Sequence, residues 1–401
     1  MLAVALVTGG AIAGRHWLQG PRQNPKRLDL LQAALGEFQA KRYAQAIAIL
    51  DRRAAETTPI PLDWMLRARV AEAQGRLEEA LSHLGHIPDS DPISSQAWLK
   101  AGQLELARHR ARAADAAYQH ALALNPDQIQ AYRELAYLYA VQLRKAECDA
   151  QFRALNRRIR MDPTLALAWS QNSCGLWDVP GTRKVLIPFV AEDPTDRTSR
   201  LALATSYALT GEYDEAEATL RPLPQSDPDA LALRVQLAID RGDVETADQL
   251  LREGPGDHAR LNLFRGRLAM NGGDPRRAAA YFRAALSKEP ADRDSIHGLG
   301  VALKRLGDPQ SKDFLQIADR YDQLKRTVKD SVVIIQTDRK FFDKLGDICT
   351  SLNRREEARA WYRLAIQYDP LDAHAEQALA RLDREDPEAD PRPDPAQDTR
   401  N

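Results

Sequence analysis

Two histidines three residues apart, His83 and His86, come first among the side chains able to do chemistry, since that spacing on a helix sets both rings on one face, as a metal site requires. No third ligand accompanies them, so packing or solvent-exposed histidines are the favoured reading. The three cysteines, Cys148, Cys174 and Cys349, lie far apart and form no CxxC or Cys/His cluster, which suggests neither a disulfide framework nor a zinc site. Near the N-terminus, VTGGAIAG places Gly9, Gly10 and Gly14 in a glycine-rich stretch. They match neither GxGxxG nor TGxxxGxG, which would need glycine where Ala13 and Arg15 stand, and no βαβ pattern succeeds them. No nucleophile, base and acid set is recognisable, and the carboxylates scatter over charged helices as a solvated face. A non-catalytic chain with no cofactor and no metal is the expectation.

Composition narrows the classes further. In 401 residues, 56 Lys and Arg are balanced by 57 Asp and Glu, so there is no global field with which to grip nucleic acid. The basic stretches from Ala107 and Arg153 spread their charge around a helix and are succeeded by acidic residues. A hydrophobic content of 44% supports a real core, and the abundance of Ala, Leu, Arg and Glu favours helix over sheet.

Residues 1–14 are uncharged. As helix they would rise about 21 Å, short of a hydrocarbon core of about 30 Å. Ala11-Ile12-Ala13 has the small-x-small form of a signal cleavage site but lacks a basic residue in front, while Arg15 and Trp17 suit a membrane boundary. The expectation is an apolar leader over residues 1–27 that anchors or exports the chain at a bacterial cell envelope, the alternative being a cytoplasmic protein with a leader that is disordered or packed on the rest of the chain.

The elements beyond the leader announce themselves by period. Ala34, Ala68, Gly102, Ala136, Ser170 and Ala204 recur every 34 residues, and so do Ala46, Ala80, Ala114, Cys148, Thr182 and Ala216. Prolines read as helix-ending, Pro92, Pro126, Pro194 and Pro228, keep the same step or its double. Two helices of about a dozen residues with two short turns make such a unit. Because one unit cannot bury its apolar face alone, its neighbours must stack, and small residues recur where the paired helices come close.

On these residues the chain resembles the tetratricopeptide repeat family. GEYDEAEATLRPLPQSDP, with Gly211, Tyr213, Ala216, Leu220 and Pro228, carries the family pattern. So do the stretch with Trp98, Gly102, Ala114, Tyr118, Ala121 and Pro126, the stretch AYRELAYLY, and EEARAWYRLAIQYDP with Ala358, Tyr362, Ala365 and Pro370. The resemblance covers roughly residues 28–384. It implies an all-α fold, a right-handed α-solenoid of about ten helix-turn-helix repeats with a terminal capping helix, which binds proteins or peptides along its concave face.

Three departures mark specialised geometry. Trp177 stands at a turn where glycine is usual, and Pro188 is expected to interrupt and kink the next helix. Two 31-residue steps lead through Val235 to Gly266, and the step from Gly300 to Gly346 is 46. Within that longer step Phe314, Ile317, Tyr321, Leu324 and Val328 read as one extended amphipathic helix, favoured over a short strand at Ser331–Gln336. LDAHAEQALARLD is expected to shield the last repeat, and the charged, proline-rich residues 385–401 to be disordered.

The first helix of each repeat lines the concave face in this family. There Arg260, Arg267, His297, Lys304 and Arg305 would form a positive strip suited to an acidic or carboxylate-ended protein segment. Earlier repeats contribute Arg69, Gln103, Arg133, Tyr137, Gln171, Thr205 and Gln236, a polar track with one aromatic anchor. The lysine and asparagine clamp by which some family members hold a chaperone tail has no counterpart. A protein-binding scaffold is the first expectation. The alternative is a self-assembling component or an accessory subunit of an enzyme or export complex.

Overall fold

The computed structural model describes residues 25–334 and 340–385. The expected leader lies outside the described residues except for its last three positions, and so does the expected tail beyond Glu385. The described residues contain 21 helices and no strand. In order they are α1 (Pro25–Gln39), α2 (Tyr43–Glu56), α3 (Pro61–Ala73), α4 (Leu77–Leu84), α5 (Ser94–Ala107), α6 (Ala111–Leu124) and α7 (Ile129–Val141). Next come α8 (Lys145–Asn156), α9 (Pro163–Cys174), α10 (Val179–Glu192), α11 (Arg197–Ala208), α12 (Tyr213–Leu220), α13 (Pro228–Asp240) and α14 (Val244–Glu253). The series ends with α15 (Ala259–Asn271), α16 (Pro275–Lys288), α17 (Arg293–Arg305), α18 (Ser311–Ile334), α19 (Phe341–Ser351), α20 (Arg355–Tyr368) and α21 (Ala373–Glu385). Among the described residues no helix is long and apolar enough to cross a membrane.

Two compact units emerge. One holds the described residues up to Tyr139 together with Ala191–Asp196, and the other holds Ala140–Val190 and the described residues from Arg197 onward. In the first, α1 packs on α2, α3 on α4 and α5 on α6; in the second the partners are α11 with α12, α13 with α14, α15 with α16, α17 with α18 and α19 with α20.

Most of the hairpins share one contact rule. Gly102, Gly266 and Gly346 face an aromatic ring sixteen residues later, on the second helix of their own pair, so closely that a Cβ would fall 2.4 Å from Tyr118, 2.6 Å from Phe282 and 2.5 Å from Tyr362. At four hairpins the small residue is alanine or valine and the residue sixteen later is leucine: Ala34 with Leu50, Ala68 with Leu84, Ala204 with Leu220 and Val235 with Leu251 share clusters. Bulk is traded across the contact in these pairs, while Ala136 keeps an aromatic, Phe152, and Gly300 faces Leu315 instead.

The turns repeat as well. Lys41, Gly75, His109, Leu143, Gly211, Gly242, Gly273, Gly307 and Asn353 all have positive φ, and their spacing keeps to the period of the repeats. For the non-glycine members this left-handed conformation costs about 1 kcal/mol each. The turn expected at Trp177 departs from this series: the left-handed residue is Gly175, which closes α9 at φ 62. Helix α10 continues through Pro188 instead of stopping there. Pro228 opens α13, because its fixed φ and missing N–H suit the first helical position, and Asp227 caps it by accepting the Ala230 amide at 3.0 Å. Helix α18 runs 24 residues to Ile334, so the extended-helix reading holds through Ser331; Ile335 and Gln336 lie outside the described residues.

The second unit also closes on itself. Helices α8 and α9 pack against α20, and α9 against α18. Ser170, fully buried on α9, donates to the Glu357 carboxylate and accepts from Trp361 Nε1 at 3.2 Å. Arg354 Nε donates to Glu357 at 2.6 Å, and its guanidinium also reaches Ser173. Arg157 meets Glu356 at 2.8 Å. The seam is polar yet buried, and each group in it finds a partner of opposite character.

Candidate partner-binding surface

In the second unit the first helices α11, α13, α15 and α17 lie side by side. Helix α15 begins where His258 accepts the Leu261 amide, which puts Arg260 in its first turn. Arg260 and Arg267 fall one turn before and after Phe264, and both guanidinium groups lie within about 6 Å of its ring, at 6.0 and 5.8 Å. Phe264 itself is fully buried, so it anchors both cations to the helix surface.

The two arginines then part company. Arg267 is engaged, 2.6 Å from Asp294 on α17, and Asp294 also receives Arg293 at 3.2 Å. Arg293 in turn grips Asp322 on α18 through two nitrogens, at 3.0 and 2.6 Å. This ladder fixes α15, α17 and α18 together. A second ladder joins Arg197 to Asp227 and Asp229, with His258 on Asp229 at 3.0 Å. Those partners hold the Asp229 carboxyl well below its usual range, His258 first.

Arg260 makes no ion pair among the described residues. It is exposed to solvent, yet loss of water around it pushes its guanidinium below the usual value, with the charges of Glu289 and Asp292 opposing that shift. Lys145, at the start of α8, shows the same pairing of exposure with a lowered pKa, caused by burial and then by Arg354. Glu289 is raised by burial, then by Asp292.

On α17, His297 and Lys304 are exposed and make no ion pair among the described residues. Arg305 is exposed and donates to the Met270 carbonyl at 3.2 Å. Of the five residues expected to form one strip, Arg267 is neutralised by Asp294 and Arg305 is tied to backbone. Helical spacing alone did not reveal Asp294, because its carboxylate comes from the next repeat.

Arg133 and Tyr137 belong to the first unit. Both are half-buried on α7, and the Arg133 Nε is a buried donor with no partner. Burial raises the Tyr137 phenol, helped by the charge of Glu134, which accepts from Gln103 at 3.0 Å and Gln130 at 2.9 Å. Of the other track residues, Arg69 lies over the Phe38 ring and Thr205 bonds back to the Leu201 carbonyl.

His83 and His86 stack on Trp64, with ring centroids 5.8 and 4.2 Å away. No group of three or more metal-ligating side chains is present among the described residues. Cys174 is pushed up to about 12 by burial, and Cys148 and Cys349 are buried and raised as well, so none of the three thiols is poised as a nucleophile.

Tetratricopeptide repeat models match residues 188–237, 232–292, 264–311 and 340–370. Among solved structures, a tetratricopeptide repeat protein from Parabacteroides merdae is 16% identical, covering 61% of this chain and 98% of its own, with a TM-score of 0.33. A chain of the APC/C hetero-tetramer Cut9-Hcn1 is 13% identical over 89% of this chain and 90% of its own, with a TM-score of 0.36. PilF of Pseudomonas aeruginosa is 17% identical over 50% of this chain and 92% of its own, with a TM-score of 0.33. No curated protein gives a significant match. The chain thus carries tetratricopeptide repeats over residues 188–311 and 340–370, and its paired helices and recurring turns give an all-α fold of the solenoid type. Repeats of this kind form protein–protein interaction scaffolds, typically without catalysis.

Proposed function

We propose that this protein is a non-catalytic scaffold whose second unit receives an acidic segment of a partner protein across α15 and α17. The observation that carries this reading is the pair of exposed cations, Arg260 and Lys304, neither in an ion pair among the described residues, on two helices packed side by side, with His297 also exposed on α17. Arg267 and Arg293 beside them are engaged by carboxylates. Glu289 and Asp292 act on Arg260 through space without pairing with it, and cations so left unpaired on neighbouring helices suit a carboxylate-bearing chain and limit its ordering cost.

A fluorescein-labelled hexaglutamate peptide tests this by anisotropy, beside hexalysine, on the full chain and on the R260E/K304E variant. Binding of hexaglutamate alone, weakened at least tenfold by the double substitution with helicity unchanged, is the expected result. Equal binding by wild type and variant, or none by wild type, overturns the site.

The uncharged residues 1–14 support a membrane-associated or envelope placement as part of the same proposal. Fractionation of cells would find the chain with the membrane or exported material; recovery of full-length protein wholly in the cytoplasmic fraction would sink that placement.

A further inference from the structure

The exposed face of α16 carries charge that the scaffold reading does not use. This helix packs on α15 and α17 through one side, where Ala278, Ala279, Phe282 and Ala285 are buried. Its other side holds Arg276, Arg277, Arg283 and Lys288, all exposed. A step of seven residues sets Arg276 and Arg283 in line two turns apart, about 10 Å along the axis, with the exposed Ala280 between them. The helix, PRRAAAYFRAALSK, contains no acidic residue. Asp274 stands before it as the cap, accepting the Arg277 amide at 2.9 Å, and Glu289 follows it.

None of these four cations makes an ion pair among the described residues. Other second helices behave differently. Arg52 meets Glu56 at 3.5 Å on α2, and Arg153 and Arg252 meet Asp149 and Asp248 one turn before them on α8 and α14. A carboxylate one turn away is the ordinary balance of a solvated helix face, and α16 has none to offer. Arg277 turns over Tyr281 instead, 5.6 Å from the ring centroid, donating to the phenol oxygen from Nε at 3.3 Å and from Nη2 at 3.2 Å. Asp248 and Asp274 act on it through space without pairing.

We propose that the exposed face of α16 is an electrostatic docking surface for an anionic lipid bilayer.

Charge complementarity selects this partner. Each Lys or Arg held near an anionic membrane surface strengthens adsorption about fivefold, within a Debye length. The apolar side of α16 is spent on α15 and α17, so the helix meets headgroups by charge and does not insert. Nucleic acid fits this face less well, because single strands bind by stacking bases on open rings. Phe282 is fully buried, and Tyr281 is half-buried with a guanidinium over its ring. The inference extends the membrane placement proposed above, but it uses neither residues 1–14 nor Arg260 and Lys304.

Co-sedimentation of the full chain with vesicles tests the surface, using phosphatidylcholine alone and phosphatidylcholine with about a third phosphatidylglycerol. At low salt, partition onto the anionic vesicles should exceed that onto the neutral ones at least tenfold, and it should fall steeply as salt is raised. R276E/R283E should lose at least tenfold with helicity unchanged, since both positions are exposed, while R276K/R283K should keep wild-type partition. The salt response is read on the unmodified protein and decides without any variant. Equal partition onto neutral and anionic vesicles, which the uncharged residues 1–14 would produce, overturns the surface, as does an R276E/R283E variant that binds like wild type. A single-stranded oligonucleotide that releases the chain from the vesicles would assign the face to nucleic acid and overturn it too. Cell fractionation reads the membrane placement separately, so either can fail alone.

Discussion

Asn156 donates a 3.0 Å hydrogen bond to the backbone carbonyl of Glu356, two hundred residues further along the chain. Beside it the Glu357 carboxylate sits between Ser170 and Arg354, with Glu357 buried to 2% exposure. The second unit is therefore closed by groups of its first and last hairpins, and its closure depends on charges taken out of water.

Removing one partner of that seam strands the other. Glu357→Ala leaves the Arg354 guanidinium and the Ser170 hydroxyl without their shared acceptor, and should destabilise the second unit by about 3 kcal/mol. Urea denaturation monitored by far-UV circular dichroism reads the loss. A change below about 1 kcal/mol would show that water enters the seam and that the closure is weak.

The trade of bulk inside each hairpin predicts a rescue. Gly346→Ala drives a methyl into the Tyr362 ring and should cost about 1–3 kcal/mol. Combined with Tyr362→Leu, it reproduces the alanine and leucine pairing of Ala204 and Leu220, so the double variant should lose clearly less than the sum of the two single ones. Strict additivity in thermal or urea melts would refute the contact rule.

A pH effect is expected in the first unit. Burial lowers the His83 imidazole below its ordinary value of 6.5, with Glu79 opposing the shift. A depressed pKa contributes stability above the unfolded value and loses it as the pH falls through the folded one. The melting temperature should therefore drop between pH 7 and pH 5 by more in wild type than in His83→Phe, which keeps a ring against Trp64 without the proton. Parallel shifts in the two proteins would exclude His83 as the source.

The period of the array was open in the sequence. Small residues at Ala34, Ala68 and Gly102 recur because every hairpin solves the same local problem, and a local problem leaves its mark at fixed spacing. The paired helices, the long α18 and the capping helix come from that pattern and from amphipathic periodicity, both written within a few dozen residues. Even the displaced turn at Gly175 had a signal, since glycine is the residue that adopts positive φ without cost.

Tertiary structure alone decided which distant surfaces meet. In stacked repeats each unit turns slightly on the one before, so which distant residues meet depends on the sum of those turns and not on any local spacing. No spacing rule could bring Ser170 to Glu357 or Asn156 to Glu356. The same reason governs the proposed binding face: Arg267 looks identical to Arg260 in helical register, and only the carboxylate of Asp294, contributed by the neighbouring repeat, pairs with one and leaves the other without an ion pair among the described residues.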